Sequence, residues 1–257
     1  MLKVINSIQE WKQIKASQLI NQTIGFVPTM GNLHVGHLSL CKKSASENNV
    51  TVMTIYVNPT QFNDKNDLQK YPRTLEMDLT LLRETKFVDY CLILTDEEVY
   101  ADDYVYQVSE LYLSQMMEGI FRPGHFTGML TVVLKLLIGV APNRAYFGEK
   151  DYQQYRLIDG MKKAFFLDCD IIACPTVREE SGLPFSSRNS RLSEEEKQKA
   201  NVFSSIFLKK YQSCEEILQQ LQQQNIGVDY SQEIEGRRFI AVRIGDIRLL
   251  DNYPLEG

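Results

Sequence analysis

Short apolar, β-branched runs at residues 23–28, 50–57, 88–94, 144–147 and 170–174 alternate with segments at 37–48, 74–86, 127–140 and 151–166. In the second set apolar positions recur every three or four residues, as Leu75, Leu79 and Leu82 do. No other feature limits the fold as tightly. The first kind of run reads as a buried strand and the second as an amphipathic helix. Strand and helix in steady alternation predict an α/β fold, a parallel sheet with helices on both faces. Such sheets bind ligands outside the carboxyl ends of their strands, so the segments that follow each strand are where chemistry is sought.

Beyond about residue 176 the pattern changes. Ser193-Glu194-Glu195-Glu196 is a capping box, opening a helix that runs through Phe203 and Phe207 to about Tyr211. A Gln-rich helix follows near 214–224, and Arg238–Ile244, Gly245-Asp246 and Ile247–Leu250 read as a hairpin with Gly at the first turn position. The chain thus divides into 1–176, a parallel α/β domain, and 177–257, a small α+β C-terminal lid domain. At 257 residues there is material for both cores.

The formal net charge of −5 argues against a general nucleic-acid or membrane-surface binder, which gains affinity from surplus Lys and Arg. Five cysteines are an odd number with no C-x-x-C pair, and no signal peptide opens the chain. Reduced core thiols in a cytoplasm are the expectation. The longest apolar run, Leu130–Ala141, is interrupted by Lys135 and is too short to span a bilayer.

The run Ile24–Val27 leads into Pro28-Thr29-Met30-Gly31-Asn32-Leu33-His34-Val35-Gly36-His37. Two imidazoles three residues apart, with a glycine between, therefore sit where a strand hands over to a helix N-terminus. Unpaired backbone N–H groups and the helix dipole attract anions there, glycine admits a phosphate to the backbone, and imidazoles donate to phosphate oxygens. A His-x-Gly-His after a strand is the signature of nucleotidyl transfer to an acid or alcohol. The plainer alternative is that both histidines cap the helix. Of three histidines in the chain two lie here, and the third, His125, follows Arg122-Pro123-Gly124 in a segment of similar phosphate-binding character.

Gly148-Glu149-Lys150-Asp151 is a second strand-to-helix corner, with a lysine suited to phosphate and an acid suited to ribose hydroxyls. Ser186-Ser187-Arg188 lies between Gly182-Leu183-Pro184 and Asn189-Ser190, a flexible loop equipped to close over a triphosphate. Gln61, after Val57-Asn58-Pro59-Thr60, and Gln154, a turn into a helix, are amides able to orient a carboxylate or hydroxy acid without a strong ion pair. There is no P-loop, no G-x-G-x-x-G and no H-E-x-x-H, which removes the main support for P-loop transfer, dinucleotide redox and zinc peptidase chemistry.

Together these segments resemble the pantoate–β-alanine ligase (pantothenate synthetase) family of the His-Ile-Gly-His nucleotidyltransferases. Val57-Asn58-Pro59…Gln61-Phe62, Tyr71-Pro72-Arg73-Thr74, Gly124-His125-Phe126…Gly128 and Pro175-Thr176-Val177-Arg178-Glu179 join the motifs above, and the run Gly148–Gln154 is highly specific. The resemblance implies a Rossmann-like N-terminal domain with a smaller lid, a homodimer through the larger domain, and a two-step ligation with ATP and Mg²⁺. Pantoate is adenylated with release of pyrophosphate, and β-alanine then displaces AMP. It further implies an ATP site of Met30, Gly31, Asn32, Leu33, His34, Val35, Gly36, His37, Gly148, Glu149, Lys150, Asp151, Val177, Phe185, Ser186, Ser187 and Arg188. Among these, His34, His37, Lys150 and Arg188 would be catalytic, while Gln61 and Gln154 would bind pantoate and Gln61 also β-alanine.

The chain departs from the family pattern in places. Val35 stands where an acid is common, Phe185 replaces Met or Leu, and the C-terminal region is expected to be shorter than in typical members. Only Glu76 and Asp78 remain of an acidic cluster, so no protein ligand is assigned to the metal. A cytidylyltransferase-type enzyme, a nucleotide-binding regulator without chemistry and a tRNA ligase are the competing readings. The full charge set argues against the regulator, and the acidic balance and lack of an anticodon-binding domain against the tRNA ligase.

Overall fold

The structure is a computed structural model and describes residues 1–209 and 211–255. It contains two compact units. The first comprises Met1–Gly148 and Gln153–Cys174. Its elements run β1 (Lys3–Ile5), α1 (Ile8–Gln18), β2 (Ile24–Thr29), α2 (Val35–Glu47), β3 (Val50–Ile55), α3 (Lys65–Lys70), α4 (Leu75–Thr85), β4 (Tyr90–Ile93), α5 (Asp96–Val99), α6 (Glu118–Phe121), α7 (His125–Val140), β5 (Arg144–Gly148), α8 (Tyr152–Ala164) and β6 (Asp170–Cys174).

All six strands are parallel, in the order β1-β4-β3-β2-β5-β6. From β2 the chain steps to β3 on one side and later returns to place β5 on the other. The gap between the carboxyl ends of β2 and β5 is therefore a topological switch point. Side-chain alternation sorts the strands' residues into two layers. Phe26, Val52, Leu92 and Phe147 pack in one core with Trp11 of α1 and residues of α7 and α8. Val27, Met53, Cys91 and Tyr146 pack in the other with Leu40 of α2 and Leu79 and Leu82 of α4. The expected parallel sheet, covered on both faces, is what the chain forms.

The sequence reading omits β1 and α1. A three-residue strand gives no periodic signal, and α1 buries fully only Trp11. Two helices begin two residues before their expected starts, α2 at Val35 and α7 at His125.

The second unit gathers Glu149–Tyr152 with the described residues from Pro175 onward. It holds α9 (Glu194–Phe207), α10 (Cys214–Gln223) and an antiparallel sheet of β7 (Gly227–Ile234), β8 (Arg237–Ile244) and β9 (Ile247–Pro254), in that order. Capping boxes pair Ser193 with Glu196 and Ser213 with Glu216, which satisfies N–H groups left unpaired at each helix start. Phe203, Phe207, Ile217 and Leu221 pack on Ile240, Val242 and Leu249 to form its core. The helix expected to reach about Tyr211 ends at Phe207, and Lys210 lies outside the described residues, as do the last two residues of the proposed 177–257 domain. The hairpin is part of a three-stranded sheet, because the polar stretch Gly227–Ile234 pairs as β7, and its last strand runs on to Pro254. A single cut after residue 176 also misses that Glu149–Tyr152 groups with the C-terminal residues.

Candidate active site

The corner between β2 and α2 is held from below by a carboxylate. Gly31 and Asn32 both take left-handed backbone angles, φ +77° and +49°. Asp78 of α4 accepts from the N–H of Asn32 at 2.9 Å, the N–H of Leu33 at 2.8 Å and the Thr74 hydroxyl at 3.2 Å. A Cβ on Gly31 would lie 3.0 Å from that carboxylate, so glycine suits both the angle and the space. Sequence reasoning weighs Asp78 only as a remnant of an acidic cluster. Its signal is position: it falls on the apolar face that Leu75, Leu79 and Leu82 define, where a buried charge needs strong partners.

His34 is the N-cap of α2, and its Nδ1 accepts from the N–H of Gly36 at 3.1 Å. The His37 ring reaches back, its Nδ1 accepting from the His34 N–H at 3.4 Å, and the ring centroids lie 4.0 Å apart. Capping takes only Nδ1 of each ring, so it does not exclude the chemistry set against it as a rival in the sequence. With both Nδ1 atoms accepting, each neutral ring carries its proton on Nε2 and is a donor there. Val35 is half exposed, so the missing acid leaves this corner's hydrogen bonds intact.

Gln61 sits in a one-turn 3₁₀ helix, Pro59–Gln61, after β3. It is buried, and Asn58 donates to its Oε1 at 3.0 Å, which leaves Nε2 as the donor end of the amide. Asn58 is itself fixed by the Tyr100 hydroxyl at 2.7 Å, and burial pushes that phenol up to about 12, keeping it a donor. Gly128 lets α7 press on this turn, for a Cβ there would meet the Thr60 carbonyl at 2.4 Å.

His125 is not a phosphate group in waiting. It is buried, with Nδ1 donating to the Gln61 carbonyl at 2.8 Å and Nε2 accepting from Arg122 at 3.1 Å. Arg122 and His125 hold the Gln61 turn. Gln154, half-buried, lies in the first turn of α8. Its neighbour Gln153 is the buried member of the pair, donating to the carbonyls of Leu113 and Met116 at 2.8 Å each.

The first unit thus brings Met30–His37, Gln61 and Gly148 to the carboxyl ends of the adjacent strands β2, β3 and β5. Glu149, Lys150, Asp151, Val177, Phe185, Ser186, Ser187 and Arg188 belong to the second. There Glu149–Asp151 forms a 3₁₀ turn in which Lys150 Nζ lies 3.3 Å from Asp151. Val177 and Phe185 pair through a 3.1 Å backbone bond across a turn at Gly182. The loop that follows is tied down rather than loose. Asn189 donates to Glu179 at 3.1 Å and to the Pro184 carbonyl at 3.0 Å, and the Ser186 hydroxyl accepts from the Arg188 N–H at 3.3 Å. Among the described residues no three His, Cys, Asp or Glu side chains group as a metal site.

A parallel sheet with a His-x-Gly-His corner beside its switch point makes this an α/β protein whose corner lies where open parallel sheets bind their ligands. A profile of the family described as pantoate-beta-alanine ligase matches residues 3–254, and the chain belongs to that family. Pantothenate synthetase of Coxiella burnetii (strain RSA 331 / Henzerling II) is 52% identical over 254 residues, which are 99% of this chain and 97% of the relative. That of Legionella pneumophila (strain Lens) is 50% identical over 99% of this chain and 100% of its own. The chain thus spans nearly the whole length of both relatives. Among solved structures, pantoate-beta-alanine ligase from Francisella tularensis, complexed with beta-gamma ATP and beta-alanine, superposes with a TM-score of 0.95. It is 42% identical, covering 100% of this chain and 99% of that one. Pantothenate synthetase from Thermus thermophilus gives 0.89 at 35% identity, covering 99% and 100%. The chain is accordingly an ATP-binding ligase of pantothenate biosynthesis that joins pantoate and β-alanine.

Proposed function

We propose that the ligation runs through a pantoyl adenylate and that the residues named from the sequence carry it. The carboxylate oxygen of pantoate attacks the α-phosphorus of ATP, and the bond to the β-phosphate breaks, releasing pyrophosphate. The amine of β-alanine then attacks the acyl carbon, the C–O bond to AMP breaks, and the amine proton goes to solvent. Adenylation supplies the leaving group that a bare carboxylate lacks. In this reading Mg²⁺ enters with the triphosphate as part of the substrate.

One observation carries the proposal: both imidazoles of the corner are oriented through Nδ1, which makes Nε2–H a preorganised donor on each. Such donors act most when charge builds on phosphate oxygens. Lys150 and Arg188 add mobile and planar cations, Ser186 and Ser187 hydroxyls, and Asp151 an acceptor for ribose. Met30–Leu33, Val35, Gly36, Gly148, Glu149, Val177 and Phe185 complete the ATP contacts. The Gln61 amide, its Oε1 taken by Asn58, donates through Nε2 to pantoate and lies near β-alanine, and Gln154 is the second pantoate amide.

The test is exchange of labelled pyrophosphate into ATP. Purified protein with MgATP and pantoate, without β-alanine, is expected to catalyse it. Exchange that appears only once β-alanine is added overturns the two-step scheme, and exchange driven by an alcohol phosphate in place of pantoate points to a cytidylyltransferase-type enzyme.

The working form in this proposal is a homodimer made through the first unit. Val105, Tyr106, Leu111, Tyr112 and Ile120 are exposed apolar side chains within residues 105–120 of it, and an interface there would cover them. Sedimentation at micromolar protein is expected to give twice the chain mass, and Leu111→Glu with Tyr112→Lys to return it to one. A wild-type monomer overturns the reading. The cytoplasm is the proposed compartment, supported by five free cysteines, four of them buried. Burial pushes the Cys41, Cys91 and Cys169 thiols up to about 12, so they stay protonated and inert. Among the described residues no helix is long and apolar enough to cross a membrane.

A further inference from the structure

Asn252 lies near the end of β9, where an alternating strand would place an ordinary side chain. Instead it is buried and uses both N–H donors of its amide on one backbone turn. Nδ2 donates to the carbonyl of Glu149 at 2.9 Å and to that of Lys150 at 2.8 Å. Its Oδ1 accepts from the Arg237 guanidinium, which can only donate, so the amide has one orientation. Arg237 is held in turn by Glu149 at 3.0 Å and by the face of the Tyr152 ring, 3.8 Å from its centroid. On the neighbouring residue the buried Asp251 pairs with Arg178 through two bonds of 2.6 and 2.8 Å, and Arg178 also reaches the Asn252 carbonyl at 3.3 Å. Burial pushes the Asp251 carboxyl up, and the guanidinium beside it opposes that shift.

An isolated 3₁₀ turn has poor internal hydrogen bonds and weak stability of its own. The turn Glu149–Asp151 is such a turn, and the orientation of its carbonyls sets the direction in which the Lys150 side chain leaves the backbone. We propose that Asn252 is a positioning residue for the ligation, fixing the Glu149–Asp151 turn so that Lys150 is presented to phosphate in one geometry. The inference rests on the phosphate-binding role proposed for Lys150. Asn is required for a chemical reason. Asp has the same shape and would keep the Arg237 contact through one oxygen, but it would set the other, an acceptor, against both carbonyls.

The experiment is a double-mutant cycle on pantoate-dependent pyrophosphate exchange, using Asn252→Asp, Lys150→Ala and the double variant in the full chain. Asn252→Asp is expected to lower kcat about tenfold or more, the scale of a displaced catalytic group, with KM for pantoate within about twofold of wild type. In the Lys150→Ala background the same change should cost almost nothing more, because the residue it positions is gone. Multiplicative losses, or a rise in the KM for pantoate with kcat unchanged, overturn the inference while leaving the Lys150 role standing. Lys150→Ala with wild-type kcat overturns that role and the inference with it. If Asn252→Asp does not fold, Arg237→Met replaces it, since it removes the donor that orients the amide. Its loss is expected to be smaller, about threefold or more, and again confined to protein that retains Lys150; a loss that persists without Lys150 overturns the inference.

Discussion

His37→Ala is expected to lower kcat for pantoate-dependent pyrophosphate exchange by about a hundredfold or more, the usual cost of removing one preorganised donor to developing phosphate charge. KM for ATP should move little, because the lost interaction strengthens mainly in the transition state. The ring does two jobs, and alanine removes both. Nδ1 accepts from the His34 N–H and so closes the N-terminus of α2, while Nε2 carries the proton that would meet phosphate. Asparagine separates them. Its Oδ1 can take over the cap, but nothing in its side chain reaches the position of Nε2. His37→Asn should therefore keep the wild-type melting temperature and still lose the rate, whereas His37→Ala loses the rate and about 1 kcal/mol of cap stability as well. Exchange near the wild-type rate in a folded His37→Asn protein would remove His37 from the catalytic set and leave it a helix cap.

Much of this molecule was legible in its sequence. The five β-branched runs became β2, β3, β4, β5 and β6, because a strand buried on both faces must be apolar at every position. The corner motif was legible because few residue patterns place two imidazoles and a glycine after such a strand. What escaped was of two kinds. Short or mostly polar elements leave no periodic mark: β1 is three residues that pair with the distant β4, and β7, though a tight turn from β8, is too mixed in pattern to read as a strand. The supporting polar residues escaped for a different reason. Asp78, Asn58, His125 and Asn252 each hold backbone or amide groups contributed from elsewhere in the fold, and a residue's type does not say which group it will meet. His125 shows the cost: its neighbour Arg122 and the glycine suggested an anion site, while its two nitrogens are spent on Gln61 and Arg122. The one general sign was misplacement, a polar residue on a face that should be apolar. Asp78 on α4 and Asn252 on β9 both carry it.

Asp78→Ala should be the most destabilising of the changes considered. The carboxylate is buried and accepts from two backbone N–H groups and a hydroxyl, and alanine leaves those donors without an acceptor. Hydrogen bonds to a charged group and orphaned donors together put the cost at about 3 kcal/mol, or a fall in Tm of roughly 6–12 °C for a chain of this size. The corner it clamps holds Asn32 in a left-handed conformation that non-glycine residues rarely choose, so without the clamp the Met30–Leu33 turn is expected to relax. His34 begins the next helix, and a shift of the turn before it should lower kcat about tenfold or more even in protein that remains folded below its lowered Tm. Asp78→Asn is the milder form, keeping one acceptor and turning a donor toward the backbone. A rival account makes Asp78 a ligand of Mg²⁺, and the two accounts part on metal dependence. If Asp78 only clamps the corner, the variants lose rate and stability with an unchanged Mg²⁺ requirement. If it binds the ion, the Mg²⁺ concentration for half-maximal exchange rises several-fold while Tm measured without metal hardly moves. The three donors already converging on the carboxylate favour the first outcome, and a metal titration of Asp78→Asn beside a melting curve decides between them.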